Sequence, residues 1–367
     1  MAEISELAIQ RLLIDWYYKI KYQTYQNYNP WYTANEANWE NDLALTSLEK
    51  MQLAAHANSF FNVFENKNPP YLLSLNTLRE WVAALYSVGP SSFAFQSSGT
   101  GGLQKTTTHS IEFLNCEVNW LAELVGTVDG IICYVPAYSI YGFLFTVLLP
   151  KYLQVPVYMP HEIPLNHLQK NHLVVATPFH WQQINLSLAN NYLPCKAVSA
   201  ADYLSPQLFT QLQQKQMTVV EIYGSTETGG IAYKKAPKQP FTLFPYWKKN
   251  LNNYKELVLF HQKMNAAYYP PDDLHFITET NFLIEGRKDK AVNIAGSLVH
   301  THLLESQIET IEEVQSCSIT IKKLADAMHI QAQIVLMQHA KHQKSMVIQQ
   351  IKNLLPAYQV PTSFNFE

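Results

Sequence analysis

Between about residues 90 and 225 the chain alternates short apolar runs with longer mixed segments: "SFAFQ", "GIICYVPA", "VPVYM", "HLVVATP", "CKAVSA" and "TVVEIYG". Several of these runs are β-branched, bounded by Gly, Pro or Ser, and apolar at consecutive positions. A strand apolar on both faces needs cover on both sides, and helices between such strands supply it. The pattern therefore predicts an α/β architecture of buried strands. Ahead of it, Ile9, Leu12, Leu13, Trp16, Tyr17 and Ile20 recur at helical spacing and predict an amphipathic opening helix. After residue 240, "KELVLF", "LHFIT" and "FLIEG" read as short antiparallel strands, with "TETN" as a hairpin turn. A second change follows "EGRKDK" at 285–290. Residues 291–367 then read strand ("AVNIA"), helix, strand ("CSITI"), strand ("HIQAQIVLM") and helix, with Leu304, Ile308 and Ile311 on one face of the first helix. That is enough for a small α+β domain behind a charged linker.

Composition narrows the partners. The chain has 367 residues, 47% of them apolar and 15% charged, which predicts a sizeable core and excludes wholesale disorder. The net charge is −3 and no dense Lys/Arg block occurs, so neither nucleic acid nor an anionic membrane is an expected partner. No apolar run reaches the roughly 18 residues of a membrane span; "YGFLFTVLL" is predicted to be core. The opening segment has early acids and no basic leader, unlike a signal peptide. Cys116, Cys133, Cys195 and Cys317 are far apart and form no metal pair, which predicts a reduced, cytoplasmic protein. The 22 tyrosines suit aromatic cores and pocket walls alike.

Residues 97–105 read "SSGTGGLQK". Glycines let backbone N–H groups crowd an anion, Ser and Thr add hydroxyl donors, and a lysine adds a point charge, so the stretch can cradle phosphate. It fits neither GxxxxGK[ST] nor GxGxxG, because Gln104 stands where glycine belongs. A plain Gly/Ser turn between strand and helix reads the same.

Three further stretches follow in order: "EIYGSTETGG" at 221–230, "PPDDL" at 270–274 and "EGRKDKAVNIAG" at 285–296. As an ordered set the four resemble the adenylate-forming superfamily: acyl- and aryl-CoA synthetases, nonribosomal adenylation domains and luciferases. Ser98, Gly99, Thr100, Gly102, Lys105, Thr108 and His109 match its phosphate loop and the TH pair after it, with Gly101 in place of Thr. Tyr223, Gly224, Thr226 and Glu227 match YGxTE. Asp273 matches the acid of TGD, and Gly286, Arg287 and Asp289 match GRxD. "VPAYSIYGF" at 135–143 and "SAADYLSPQL" at 199–208 resemble two further stretches.

The resemblance implies a large N-terminal AMP-binding domain over 1–286, with a shortened leading part over 1–90, and a small C-terminal domain over 287–367 that turns about a hinge at Asp289. It implies ATP-dependent activation of a carboxylate as an acyl-adenylate, then transfer to CoA or a phosphopantetheinyl carrier, so an acyl carrier protein is a possible partner. The oligomeric state is left open. Ser97, Ser98, Gly99, Thr100, Gly101, Gly102 and Lys105 would hold the phosphates of ATP. Glu227 would ligate Mg²⁺ and Thr226 would donate to the α-phosphate. Tyr223 would lie on the adenine beside Ala200 and Gly224, and Asp273 and Arg287 would take the ribose. His109 would gate the substrate. Tyr138, Ser139, Phe143, His180 and Ala201 would line the acyl pocket, an aromatic set that suits an aryl or fatty acid better than an amino acid.

Each residue also has a plain structural reading: Tyr223 and His109 as core, Glu227 as a helix-start acid, Asp273 as a turn acid, and residues 287–290 as a solvated linker. The superfamily's C-terminal catalytic lysine would fall past Glu367. The expectation is therefore that adenylation uses another cation (Lys288, Lys290, Lys322 or Lys323), borrows one, or is impaired. The alternative function is a non-catalytic nucleotide- or acyl-binding homologue acting within a biosynthetic cluster. Among compact relatives, "GSTETGGIAYKK" most resembles the ligases of aryl-polyene clusters.

Overall fold

The computed structural model describes residues 4–22, 36–65, 70–97, 105–188, 191–252, 256–287, 292–294, 297–299, 301–324, 327–340 and 342–366. Contacts divide the chain into two compact units. The first comprises Met1–Ser97, Thr106–Tyr268 and Ile277–Phe282; the second comprises Ser98–Lys105, Tyr269–Phe276 and Leu283–Glu367.

The first unit opens with α1 (Glu6–Tyr22), α2 (Ser47–Phe60) and α3 (Leu78–Val88). The starts of α2 and α3 are set by capping boxes, Thr46 with Glu49 and Thr77 with Glu80. α1 differs from the striped helix its sequence predicts. Ile9, Leu12, Leu13, Trp16 and Tyr17 are buried as expected, but so are Arg11 and Asp15. Their partners come from far along the chain. Arg11 donates to the Thr146 carbonyl and to Cys133 Sγ, both at 2.7 Å, and Asp15 Oδ2 accepts from the Ala137 N–H at 2.6 Å.

β1 (Ser92–Ser97) pairs with β2 (Lys105–Ser110), and Ser110 caps α4 (Ile111–Val125). Then come β3 (Gly130–Cys133), α5 (Ile140–Phe143), a π-helical turn over Leu144–Leu148, α6 (Leu149–Leu153), β4 (Val157–Tyr158), β5 (His172–Ala176), α7 (Pro178–Leu188), β6 (Lys196–Ser199), α8 (Pro206–Gln214) and β7 (Thr218–Ser225). β4, β3, β5, β6 and β7 lie side by side in that order and run parallel. One face of these strands (Ile132, Val174, Ala176, Ala197, Val219) packs on Trp181, Ile184 and Leu188 of α7 and Leu208, Phe209 and Leu212 of α8. The opposite face, Ile131, Leu173, Val175, Val198 and Val220, is buried as well. Four of the predicted runs, those of β3, β5, β6 and β7, lie in this sheet and are buried; "SFAFQ" instead forms the separate two-stranded sheet with β2, "VPVYM" is the half-buried edge strand β4, and "YGFLFTVLL" is core throughout.

The sheet continues antiparallel through β8 (Gly229–Lys234), β9 (Phe241–Leu243) and the first two residues of a later strand, Asn281 and Phe282. β10 (Trp247–Leu251), β11 (Leu257–His261) and β12 (Ala266–Tyr268) form a separate antiparallel sheet.

In the second unit, β13 (Asp272–Phe276) neighbours β14 (Asn281–Arg287), the strands expected around "TETN". β15 (Val292–Ile294) pairs with β16 (Ser297–Val299). α9 (Thr301–Ile308), β17 (Val314–Leu324), β18 (Ala327–Leu336), α10 (Lys344–Leu354) and β19 (Ser363–Phe366) follow, with β18 between an antiparallel β17 and a parallel β19. Leu304, Ile308 and Ile311 share one core with Ile319, Ile334 and Val347. α9 stops at Ile308, so Ile311 reaches that core from the turn beyond it. Among the described residues no helix is long and apolar enough to cross a membrane, and the four cysteines are free and buried.

Candidate functional site

β3, β5, β6 and β7 run parallel, so their carboxyl ends share one edge. The register sets Cys133 beside Val175, Ala176 beside Ser199, and Ser199 beside Glu221. The residues leaving each strand at that edge are those the motifs single out. Tyr138 and Ser139 follow β3, His180 follows β5, and Ala200 and Ala201 follow β6. Tyr223 and Gly224 close β7, with Thr226 and Glu227 in the turn beyond it. Open parallel sheets receive ligands in the crevice outside their carboxyl ends.

The turn Thr226–Thr228 is tightly specified. His109, buried at the end of β2, lies 2.7 Å from the Thr226 carbonyl through Nε2. A carbonyl only accepts, so Nε2 carries the proton. Burial pushes the imidazole pKa down; the bond to Thr226 and the charge of Glu227 oppose it. The ring stacks on Phe113, with centroids 4.6 Å apart. Thr228 Oγ1 takes the Ser225 N–H at 3.1 Å, which closes the turn. Gly224 has no room for a side chain, because a Cβ would stand 2.1 Å from the Gly229 carbonyl oxygen. The turn leaves Glu227 exposed to solvent and Thr226 half-exposed. Tyr223 is half-buried, its ring 5.9 Å from Phe241 and 5.8 Å from Phe282.

The loop after β6 is braced from beneath. Glu221 accepts from the Leu204 N–H at 3.1 Å and pairs with Lys234 at 2.9 Å, with both side chains almost fully buried. Burial pushes the Glu221 carboxyl up, and Lys234 and the Leu204 N–H oppose it. Within the braced loop Ala201 has φ 72°, left-handed backbone that costs a residue with a Cβ about 1 kcal/mol. The Tyr141 hydroxyl spans the ends of two strands, 2.8 Å from the Val198 carbonyl and 3.2 Å from the Ala176 carbonyl.

On the side expected to hold the acyl group, Tyr138 lies parallel to Trp16, with centroids 5.9 Å apart, and Lys19 Nζ stands 4.9 Å from its ring centre. Burial pushes the Lys19 ammonium down. Ser139 caps α5: its hydroxyl accepts from the Gly142 N–H and donates to the Pro136 carbonyl. Phe143 is fully buried against Phe60, Phe93 and Phe95. His180 is buried 2.9 Å from Thr177 Oγ1, and burial pushes it down to about 4, so its ring is neutral at pH 7.

In the second unit Lys105 is exposed, and on β13 Asp273 is exposed while Asp272 is buried. Arg287 closes β14. Ser98, Gly99, Thr100, Gly101, Gly102 and the hinge residue Asp289 lie outside the described residues, as do the side chains of Ser97 and Arg287. Among the described residues no cluster of three or more His, Cys, Asp or Glu could cage a metal. One exposed carboxylate, that of Glu227, suits Mg²⁺, which takes one or two protein carboxylates and completes its shell with water and substrate phosphates.

Sequence reasoning missed Glu117, Tyr141 and the Glu221–Lys234 pair. Glu117 had a signal. It stands at i+4 from Phe113 and i−4 from Leu121, an acid within the apolar stripe of α4.

No family model matches the chain. A 4-coumarate–CoA ligase of Halorhodospira halophila is 26% identical over 280 residues, 74% of this chain and 71% of the relative. Another 4-coumarate–CoA ligase, from Cereibacter sphaeroides, is 28% identical over 279 residues, 71% of this chain and 65% of the relative. Tyr223, Gly224, Thr226 and Glu227 at the sheet edge belong to the motif set that goes with this similarity. In its ordered motifs and in these relatives the chain is similar to adenylate-forming CoA ligases. The fold agrees. The amide bond synthetase McbA from Marinactinospora thermotolerans superposes with a TM-score of 0.61 at 14% identity, over 75% of this chain and 65% of the synthetase. The chain spans about two thirds of the length of the proteins it resembles.

Proposed function

We propose that the chain is an AMP-forming acid–thiol ligase. A carboxylate oxygen attacks the α-phosphorus of ATP and pyrophosphate leaves. A thiol then attacks the acyl carbon, AMP leaves, and the thiol proton goes to solvent. The observation that carries this reading is the meeting of His109, Gly224, Thr226 and Glu227 at the carboxyl edge of the parallel sheet.

Two anions must approach each other, so the site has to supply donors and positive charge that follow the moving phosphoryl group. Thr226 is assigned to the α-phosphate, Lys105 with residues 97–102 to the departing phosphates, Tyr223 with Ala200 to the adenine, and Asp273 with Arg287 to the ribose. Glu227 would hold Mg²⁺, which neutralises phosphate charge when bound. Asp289 is assigned as the pivot between the two steps. The bond from His109 to the Thr226 backbone favours a role in shaping the turn over that of a substrate gate.

The acid is proposed to be aryl. Tyr138 and Trp16 make an aromatic wall, and the two relatives are named for an aryl acid. The acceptor is proposed to be CoA, with a carrier-protein thiol as the other candidate.

The test is carboxylate-dependent exchange of labelled pyrophosphate into ATP across a panel of hydroxycinnamic, benzoic and medium-chain fatty acids. Exchange with the aryl acids, lost in Lys105→Ala and Glu227→Ala, is the expected result. Nucleotide binding without exchange for any acid would instead identify a non-catalytic binding homologue.

A further inference from the structure

The turn that carries Thr226 and Glu227 rests on two side chains from one continuous segment, β2–α4. His109, at the end of β2, donates to the Thr226 carbonyl at 2.7 Å. Glu117, in the second turn of α4, accepts the Gly230 N–H on Oε1 at 2.7 Å. The four residues Thr226–Gly229 lie between those two points. The β7–β8 ladder is irregular there, its register shifting between Tyr223 and Gly224. An irregular ladder re-aims side chains. Here side chains hold the Gly230 peptide at both ends: Glu117 takes its N–H, and Trp247 Nε1 at 2.9 Å and the Tyr246 hydroxyl at 3.3 Å reach its carbonyl. Gly229 has φ 64°, and a Cβ on it would stand 2.1 Å from Glu117 Oε2, so carboxyl and turn are fitted to each other.

We infer that Glu117 is a positioning residue: with His109 it fixes, through the backbone, where Thr226 and Glu227 stand, without itself touching substrate. The inference rests on the ligase activity proposed above.

A second observation separates Glu117 from ordinary core. It is 3% exposed, its Oε2 has no hydrogen-bond partner, and among the described residues no cation pairs with it. An isolated buried carboxylate is costly, so the group favours its neutral form. Burial pushes it up to about 8, against the opposing pull of the Gly230 N–H. The titratable groups gathered there are Tyr246, held well above its usual range by burial, and the helix neighbour Cys116. Ionised, Glu117 would put negative charge under a turn that is to receive a triphosphate.

The experiment uses the full chain and pyrophosphate exchange from pH 6 to 9. Glu117→Ala leaves the Gly230 N–H unpaired. Its kcat is expected to fall on the order of 10²-fold, with KM for ATP changed by less than about threefold. Glu117→Gln keeps an oxygen on that N–H. It is expected to retain kcat within about threefold and to lose the decline that wild type shows as pH passes 8. Wild-type kcat in Glu117→Ala, or an unaltered alkaline decline in Glu117→Gln, would overturn the inference. If Glu117→Ala does not fold, the pH profile of Glu117→Gln alone decides. If wild type itself exchanges nothing, the ligase reading is what fails. Hydrogen exchange at the Gly230 amide then judges Glu117: protection lost in Glu117→Ala and kept in Glu117→Gln supports the positioning role, and protection unchanged in both variants ends it.

Discussion

In the parallel half of the sheet, β3, β5 and β6 are buried on both faces and seated on α7 and α8 through apolar side chains. The β7–β8 strands are also largely buried below their turn, yet ionisable groups set their details: Glu117 under Gly229 and Gly230, and Glu221 with Lys234 beneath the loop after β6. Apolar packing fixes where a strand lies but tolerates small shifts. A buried hydrogen bond fixes individual peptide groups, and a broken one is expensive. The half that bears the proposed catalytic side chains is held in the stricter way.

The largest test of that contrast is Lys234→Ala, which strands the buried Glu221 carboxyl and should cost about 3–5 kcal/mol by urea unfolding. Replacing both partners with Leu and Met should recover most of that loss. A single variant costing under about 1 kcal/mol would mean the pair does not brace the loop. On the apolar side, Leu212→Ala should cost about 2–5 kcal/mol, and the loss should be the same at pH 5 and pH 8 because no titrating group is involved.

A smaller effect separates the halves by pH. Glu117 is raised from 4.5 to about 8 by burial, so between those values the folded chain holds a proton that the unfolded chain has released. Its contribution is complete below pH 4.5 and lost as pH rises towards 8, with a slope of at most about 1.4 kcal/mol per pH unit. Unfolding free energies of wild type and Glu117→Gln should therefore diverge over that window, with the variant flatter. The smallest effect is Ala201→Gly, which removes the left-handed strain and should raise stability by no more than about 1 kcal/mol.

These contrasts also explain what the sequence disclosed. The doubly covered strands were readable because a β-branched run bounded by Gly or Pro needs only local information. That Ser139, His180, Ala200 and Gly224 stand at strand ends was readable because each follows or closes an apolar run, and parallel strands deliver their ends to one edge. Glu117 bonds to a residue 113 positions away, and Asp15 of α1 to one 122 away. No periodicity encodes which distant amide will meet a buried acid. Glu221 and Lys234 face each other only through the β7–β8 register, which bends at Tyr223. α9 was overextended to Ile311 because a turn residue that points inward mimics one more helical step.

Arg11 and Asp15 give α1 a consequence for engineering. The helix is tied to the Thr146 carbonyl, Cys133 Sγ and the Ala137 amide, the last of these next to the Tyr138 wall. It therefore works less as a leader than as a detachable keystone. A shortened chain beginning at residue 36 should be rescued by a free peptide of Glu6–Tyr22 added in trans, and the Arg11→Met, Asp15→Leu version of that peptide should fail to dock.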